Sequence, residues 1–549
     1  MRFDKRFCAR MALAAGVVAS AVSVFGLVPV HAQTTPAPGP RDAVFASRGG
    51  SAAQPGPVRR MSIDDAVATA LEQNLDLQVQ RINPQLQDLS TAQFRAAYTP
   101  NFVSTVSTAD ATNPSTSFLD TGGGAAATIT SGQSVFNFGV SSLTNWYGGS
   151  YDVRWNNQRS TTTNLLQSFN PQLNTFVIAT YSQPLLRNFK IDGTRQQLLI
   201  SQRNREITDV QLEQSIAQTV RTVRNAYYDL TGAIANLQVQ RQSLDLARQS
   251  LKDNRARVEI GTMAPLDIVQ AEAEVATREE SVIIAEAAID RLQDTVRTLI
   301  FNPSSPEFWN ARIEPTDPVT FVPTQVDVDE AVKNALSKRT DVQAQRKNLQ
   351  INDVNIRYFR NQSLPEVNAS ASYNARAIGG LQVRRAPDPG TGLPIGPIQS
   401  SVEQSYFSTL GAAFAGDFPG WNVQVNMSYP IGESPQEAQL ARARLQQTQL
   451  ERQLASLEMA VTAQVRDAAR NVQTNAKRVD ATRASLALAE KRLEAEEKRF
   501  QAGLTSSFFV LQAQRDLNIA RNSALLALVE YAKSVVNYTA VQQVPLFGQ

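Results

Sequence analysis

Two stretches of this chain repeat one event 242 residues apart: RVEIGTMAPLDIVQAEAEV at 257–275 and RFQAGLTSSFFVLQAQRDLNIA at 499–520. In each, a long run of seven-residue apolar periodicity reaches a Gly and breaks, and a second helical run leaves. Gly adopts the left-handed conformation of a helix C′ position at the least cost. Pro265 then stands where a first helical turn begins, with an N–H that the turn does not need. In the second copy Thr505, Ser506 and Ser507 offer N-cap hydroxyls. Each site reads as the tip of a long helical hairpin, and the chain must hold two of them.

The heptads run the same way in both copies. Val223, Leu230, Leu237, Leu244, Leu251 and Val258 lie 242 residues before Val465, Val472, Val479, Leu486, Leu493 and Phe500. Beyond the tips, Ile268, Val275, Val282, Ile289 and Val296 precede Val510, Leu517, Ala524, Tyr531 and Tyr538 by the same interval. A sustained step of seven implies left-handed, coiled-coil-like helix packing. Upstream, SIDDAVATALEQNLDLQVQR at 62–81 matches DVDEAVKNALSKRTDVQAQR at 327–346, now at an offset of 265. The register continues through Pro100 and Pro365, and both copies read as helices that end before the Pro.

After each Pro comes a strand candidate. EVNASASYN at 366–374 alternates apolar and polar residues, as does NVQVNMSY at 422–429. Residues 101–108 and 175–183 are weaker equivalents in the first repeat. One apolar and one polar face at period two fits a half-buried strand, or a barrel strand between lipid and water. Long polar inserts at 109–174 and 375–421 read as external loops, with 148–158 a further strand candidate without an assigned partner.

At the N-terminus, Arg2, Lys5, Arg6 and Arg10 precede an apolar run, and Val30-His31-Ala32 forms a small-x-small site. Residues 1–32 are therefore expected to be a signal peptide, followed by a flexible Pro/Ala-rich leader at 33–60. Repeat 1 is placed at 61–310, a linker at 311–325 and repeat 2 at 326–549. The sole Cys, Cys8, and the sole His, His31, fall in the signal segment. The remainder has no side chains for disulfides, Cys/His zinc sites or His-dependent nucleophilic catalysis. No phosphate loop of the GxxxxGK[ST] type occurs, so no enzyme and no cofactor are expected. A formal net charge of +3 gives no reason to expect nucleic acid as a partner.

Four strands per chain cannot close a membrane barrel by themselves. With the tips, the repeat, YSQPLL at 181–186 and MSYPIG at 427–432, the sequence resembles the TolC family of outer membrane channel proteins over about residues 60–540. The resemblance implies an α+β membrane protein: a homotrimer with a 12-stranded outer-membrane β-barrel, continued by a long periplasmic α-helical coiled-coil barrel. It further implies passive export of small molecules or polypeptides through a tripartite efflux pump or type I secretion system. The partners would be a periplasmic adaptor protein, an inner membrane pump or ABC transporter, and outer membrane lipid. A periplasmic coiled-coil adaptor or a structural envelope protein is the alternative, and the paired strands argue against both.

The resemblance also assigns residues. Gly261, Thr262, Gly503 and Leu504 match the tips that meet the adaptor. Asp267 matches an acid that pairs in relatives with an Arg of the second repeat, but Thr505 stands at the Arg position. Phe509 and Gln512 stand where relatives carry rings of acids. Phe508 and Phe509 are candidates for an apolar constriction, with packing in the interhelical seam the alternative for Phe508. The acid pairs Glu279-Glu280 and Glu496-Glu497 read as surface.

Overall fold

The computed structural model describes residues 58–115, 128–304, 308–390, 392–432 and 434–543. The expected signal peptide at 1–32, and the leader as far as residue 57, lie outside them. The described chain is one unit. It begins with β1 (Val58–Met61), α1 (Ile63–Gln73) and α2 (Leu75–Ala96). Four strands follow: β2 (Asn101–Pro114), β3 (Thr128–Leu143), β4 (Ser150–Thr162) and β5 (Phe169–Pro184). The first hairpin is α3 (Gly193–Glu259) and α4 (Pro265–Ile300). Repeat 2 runs β6 (Arg312–Pro315), α5 (Val328–Lys338), α6 (Thr340–Gln362), β7 (Glu366–Arg385), β8 (Ile398–Gln404), α7 (Tyr406–Ala415) and β9 (Pro419–Ser428). It closes with the second hairpin, α8 (Pro435–Gln501) and α9 (Ser507–Gln542).

The two hairpins match residue for residue. The first arm of each has 67 residues and the second has 36. At 1.5 Å per residue the long arms extend roughly 100 Å. The heptad positions form the seam: Val223, Leu230, Leu244, Val465, Val472, Val479 and Leu493 are all buried. The hairpins lie side by side through contacts between α3 and α9. Near the tips a separate apolar cluster joins Leu493 to Val510, Ala513 and Leu517, with Leu486 partly buried against it. Replacing Leu493 with Ala should destabilise the fold by about 2–5 kcal/mol. An unchanged melting temperature would show that this position is not core.

Short helices brace the long ones midway. Ser62 caps α1, accepting from the Asp65 N–H while the Asp65 carboxylate accepts from the Ser62 N–H. That helix buries Ala66, Val67 and Ala70 against α3 and α4. Its repeat α5 buries Ala331 and Ala335 against α8 and α9. Strands β1 and β6 pair in parallel to bind the start of repeat 1 to the start of repeat 2. β1 thus overlaps the segment assigned to the leader, and the linker at 311–325 contains β6.

The sheet departs most from the sequence reading. Four strands were expected in each chain, hence twelve in a trimer. Instead, β2-β3-β4-β5-β7 run in that order, and the free side of β7 pairs with β9 near the helices and β8 beyond it. The insert at 109–174 is thus largely antiparallel sheet, and the candidate at 148–158 overlaps β4, which starts at Ser150 and runs on to Thr162. The insert at 375–421 holds the far half of β7, then β8 and α7. Paired strands satisfy backbone groups that a loop of that length would leave to solvent.

One face of the sheet carries Phe102, Val106, Phe138, Val140, Val153 and Trp155, continuing through Val177 to Val423, Val425 and Met427. The other carries Ser107, Asn137, Arg154, Asn156, Ser370, Gln424 and Asn426. On β5 the polar face is interrupted by Phe176 and Ile178. Among the described residues, no helix is long and apolar enough to cross a membrane.

Candidate channel entrance

The two tips share one geometry. Gly261 and Gly503 have φ of +76° and +72°, the left-handed region in which a Cβ is strained. At the first tip the Thr262 N–H donates to the Arg257 carbonyl and the Gly261 N–H to Val258, both at 2.9 Å. At the second, Leu504 donates to Arg499 at 2.8 Å and Gly503 to Phe500 at 3.1 Å. This is the Schellman pair, which satisfies carbonyls that a helix end would otherwise leave open. Thr262 and Leu504 are exposed just past the turns. A Cβ built on either Gly would meet nothing within 4 Å. The tips are thus open backbone, presented far from the sheet.

Departure from the tips follows the sequence reading in one copy and modifies it in the other. Pro265 opens α4 at its first turn. Ser506 is the N-cap of α9, but its hydroxyl makes no capping bond. The buried Ser507 hydroxyl instead donates to Asp267 Oδ1 at 2.8 Å. Asp267 therefore joins the two hairpins through Ser507 and not through Thr505. It also lies in the first turn of α4, where a carboxylate interacts well with the helix dipole. Phe508 and Phe509 meet edge to face, with centroids 5.6 Å apart. Both are about half exposed (52% and 51%), so neither is buried in the seam of its own chain. Gln512 and Thr505 are half-buried.

Three contacts at this end were not assigned from the sequence. The Arg257 guanidinium lies over the Phe500 ring, 4.4 Å from its centroid, tying α3 to α8 just above the turns. Seven residues on from Asp267, Glu274 is buried and holds Arg278 at 2.6 Å and Arg515 at 2.7 Å. Through Arg515, whose side chain is half exposed, it joins α4 to α9 as a charge-assisted pair with the carboxylate buried. Gln514 Nε2 donates to the Ser250 hydroxyl at 3.0 Å, linking α9 to α3. The seven-residue spacing of Asp267 and Glu274 was the available signal, since it places both acids on one face of α4. Of the acid pairs read as surface, Glu279 and Glu280 are exposed. Glu496 and Glu497 are half-buried instead, and burial, followed by the like charge of Glu494, pushes the Glu497 carboxyl up. The long arms close over this stretch, which no spacing rule for a single helix could indicate. Among the described residues, no group of three or more His, Cys, Asp or Glu could hold a metal ion.

The arrangement can present two exposed backbone turns to another protein. Beside them it offers a pair of aromatic rings at the entrance level. A sequence model described as outer membrane efflux protein matches residues 148–300 and 331–541. The first match starts at the turn between β3 and β4; the second spans α5 to α9. No curated protein matches the chain by sequence. Several solved structures share the fold. The Campylobacter jejuni CmeC outer membrane channel matches with a TM-score of 0.59 and 14% identity, over 87% of this chain and 85% of that one. The outer membrane protein VceC from Vibrio cholerae matches at 0.60 and 14%, over 87% and 95%. The open state of the Neisseria gonorrhoeae MtrE outer membrane channel matches at 0.58 and 16%, over 87% and 88%.

Proposed function

The chain belongs to the outer membrane efflux protein family, and we propose that it works as the homotrimeric exit duct of a tripartite export system. Members of this family are channels, not enzymes. In this reading the sheets of three copies close a barrel in the outer membrane. The helical hairpins continue as a tube into the periplasm and end at the tips. A periplasmic adaptor docks on Gly261, Thr262, Gly503 and Leu504, and an inner membrane pump or ABC transporter supplies cargo and energy. The duct itself is passive. The observation that carries the reading is the pair of identical, exposed glycine turns at the ends of two equal hairpins, about 100 Å of helix from the sheet.

Two measurements test it. A heat-sensitive trimer should be found in the outer membrane fraction. A Cys placed at Thr262 or Leu504 should crosslink to an adaptor protein in intact cells. A monomer in the soluble periplasm, with no crosslink from either site, would refute the reading.

Gating follows from the residues at the entrance. Phe508 and Phe509 supply an apolar constriction that closes by dewetting, and Gln512 adds no charge. Phe509→Ser should raise single-channel conductance in planar bilayers, because a polar ring stays wet. Phe509→Asp should bring cation preference and block by divalent cations, since three copies would place three carboxylates in a narrow space. Asp267→Ala should change conductance little, because its partner is the neutral Ser507 hydroxyl and not an Arg. Strong divalent block of the unaltered protein would show that another acid lines the entrance.

A further inference from the structure

Beyond the number of strands its relatives would suggest, this chain carries a complete extra hairpin inside its sheet. Strands β3 and β4 stand between β2 and β5, with continuous pairing on both sides. β3 pairs with β2 from Asn101↔Ser141 to Pro114↔Thr128. β4 pairs with β5 from Ser150↔Ser182 to Ser160↔Gln172. The hairpin is therefore part of the wall, and no direct β2–β5 pairing exists beneath it.

The turn between β3 and β4 lies at the helix end of the sheet. Its Tyr147 ring stacks on Phe189, at 4.6 Å, and its carbonyl accepts from Gln183 Nε2 at 2.7 Å. Phe189 and Gln183 flank the point where β5 gives way to α3. The hairpin thus starts at the base of the sheet and rises through its whole height. Short turns on the periplasmic side are what a barrel of this kind uses.

Height and patterning agree. Near the base six strands lie side by side: β2, β3, β4, β5, β7 and β9, of 14, 16, 13, 16, 20 and 10 residues. A tilted strand needs about 9–11 residues to cross a bilayer core. On β3 and β4, Phe138, Val140, Val153 and Trp155 share the apolar face with Phe102 of β2 and Val177 of β5. Phe102 stacks on Phe138, and Phe138 meets Trp155 at a tilt, in one aromatic row across three strands. Asn137, Arg154 and Asn156 take the polar face. Farther from the base α7 covers this face: Phe414 meets the Trp155 ring with centroids 6.2 Å apart, and the buried Asn157 Oδ1 accepts from the Thr175 and Tyr406 hydroxyls. Nearer the base Phe102, Val140 and Val153 stay exposed on this face, an apolar band of the kind that barrel strands present to lipid.

We infer that each copy contributes six membrane strands, so that a trimer closes an eighteen-stranded barrel in which β2 of one copy meets β9 of the next. This rests on the trimeric channel reading above. Among the described residues, β2 pairs only with β3, and β9 only with β7, which leaves these two as the free edges. With strands about 4.8 Å apart and tilted by about 40°, eighteen strands give a backbone diameter of roughly 36 Å, against roughly 24 Å for twelve. A helix with its side chains measures about 10–12 Å across. The wider wall admits helical or partly folded polypeptide as well as small molecules. Size selection then falls on the periplasmic tips and not on the barrel.

The test counts strands and locates the hairpin separately. Electron cryomicroscopy of the full trimer in lipid nanodiscs should show eighteen wall strands. In parallel, single cysteines are placed at Val153, Arg154, Val140 and Ser141 in a Cys8→Ser background, and the protein is reconstituted in phosphatidylcholine vesicles. A water-soluble maleimide should label Arg154→Cys and Ser141→Cys at least tenfold faster than Val153→Cys and Val140→Cys. All four positions lie on the hairpin, and the Ser141 and Val140 changes are small enough to keep the readout if another variant misfolds. A trimer with twelve wall strands, or equal labelling on both faces, would overturn the eighteen-strand barrel and leave the channel reading standing. Absence of a trimer would overturn both.

Discussion

Tyr227→Ala should destabilise the protein by about 3–5 kcal/mol, the range for truncating a large aromatic in a core. Tyr227 is fully buried in α3, in the cluster that holds Val223, Leu230, Val296 and Ile300. Its hydroxyl donates to the Met61 carbonyl at 3.0 Å and accepts from the Thr316 and Asp317 N–H groups, each at 3.1 Å. One side chain thus fastens both strands of the β1–β6 ribbon to the helical wall. Tyr227→Phe keeps the ring and removes the fastening. It should cost less than the Ala change, about 1–3 kcal/mol for a buried polar group left unpaired. Thermal dissociation of the trimer, followed on semi-native gels, gives the order wild type, Phe, Ala. If Phe matched wild type, the hydroxyl would not be what holds the ribbon.

Arginine at position 425 should cost about 2–4 kcal/mol if that face of β9 meets lipid near the midplane. Val425 is exposed in the single chain and shares its face with Trp421, Val423 and Met427. Gln424, one residue away, shares the opposite face with Asn422 and Asn426 and pairs with Ser370. Period two puts neighbouring residues on opposite sides of the wall, so Gln424→Arg should be tolerated. The yield of folded trimer in the outer membrane reads the difference. Equal loss for both variants would mean that the apolar face is not the lipid face.

Much of the helical part was legible because its signals are local and repeated. The seven-residue step, Gly261 and Gly503 at the breaks, and Pro265 after one of them each carry their own physical requirement. The observed hairpins keep the 242-residue offset at both ends of every arm. The strands at 366–374 and 422–429 were legible for a similar reason: their alternation is clean. β3 and β4 were harder to see. Their apolar faces alternate, in Phe136, Phe138 and Val140 and in Tyr151, Val153 and Trp155, but Asn137, Gly139, Asp152 and Arg154 stand between them, and the Ser, Thr, Gly and Asn on either side give the composition of a loop. A numerical trace was present all the same. The repeat offset falls from 265 before the strands to 242 after them, so the first repeat holds extra chain there.

By itself the sequence determined what depends on neighbours along the chain: helix length, the positions of breaks, which residues form each apolar stripe, and the duplication. Only the tertiary structure decided which distant groups meet. Asp267 faces Ser507 and not Thr505, Arg257 covers Phe500, and Glu274 reaches Arg515, because two separate hairpins lie side by side in one register. The sheet was decided in the same way. A strand's alternation states that it has two faces, but the partner that takes its backbone hydrogen bonds is set by pairing across long stretches of chain. That pairing placed β3 and β4 between β2 and β5, and so made a segment of loop-like composition into part of the wall.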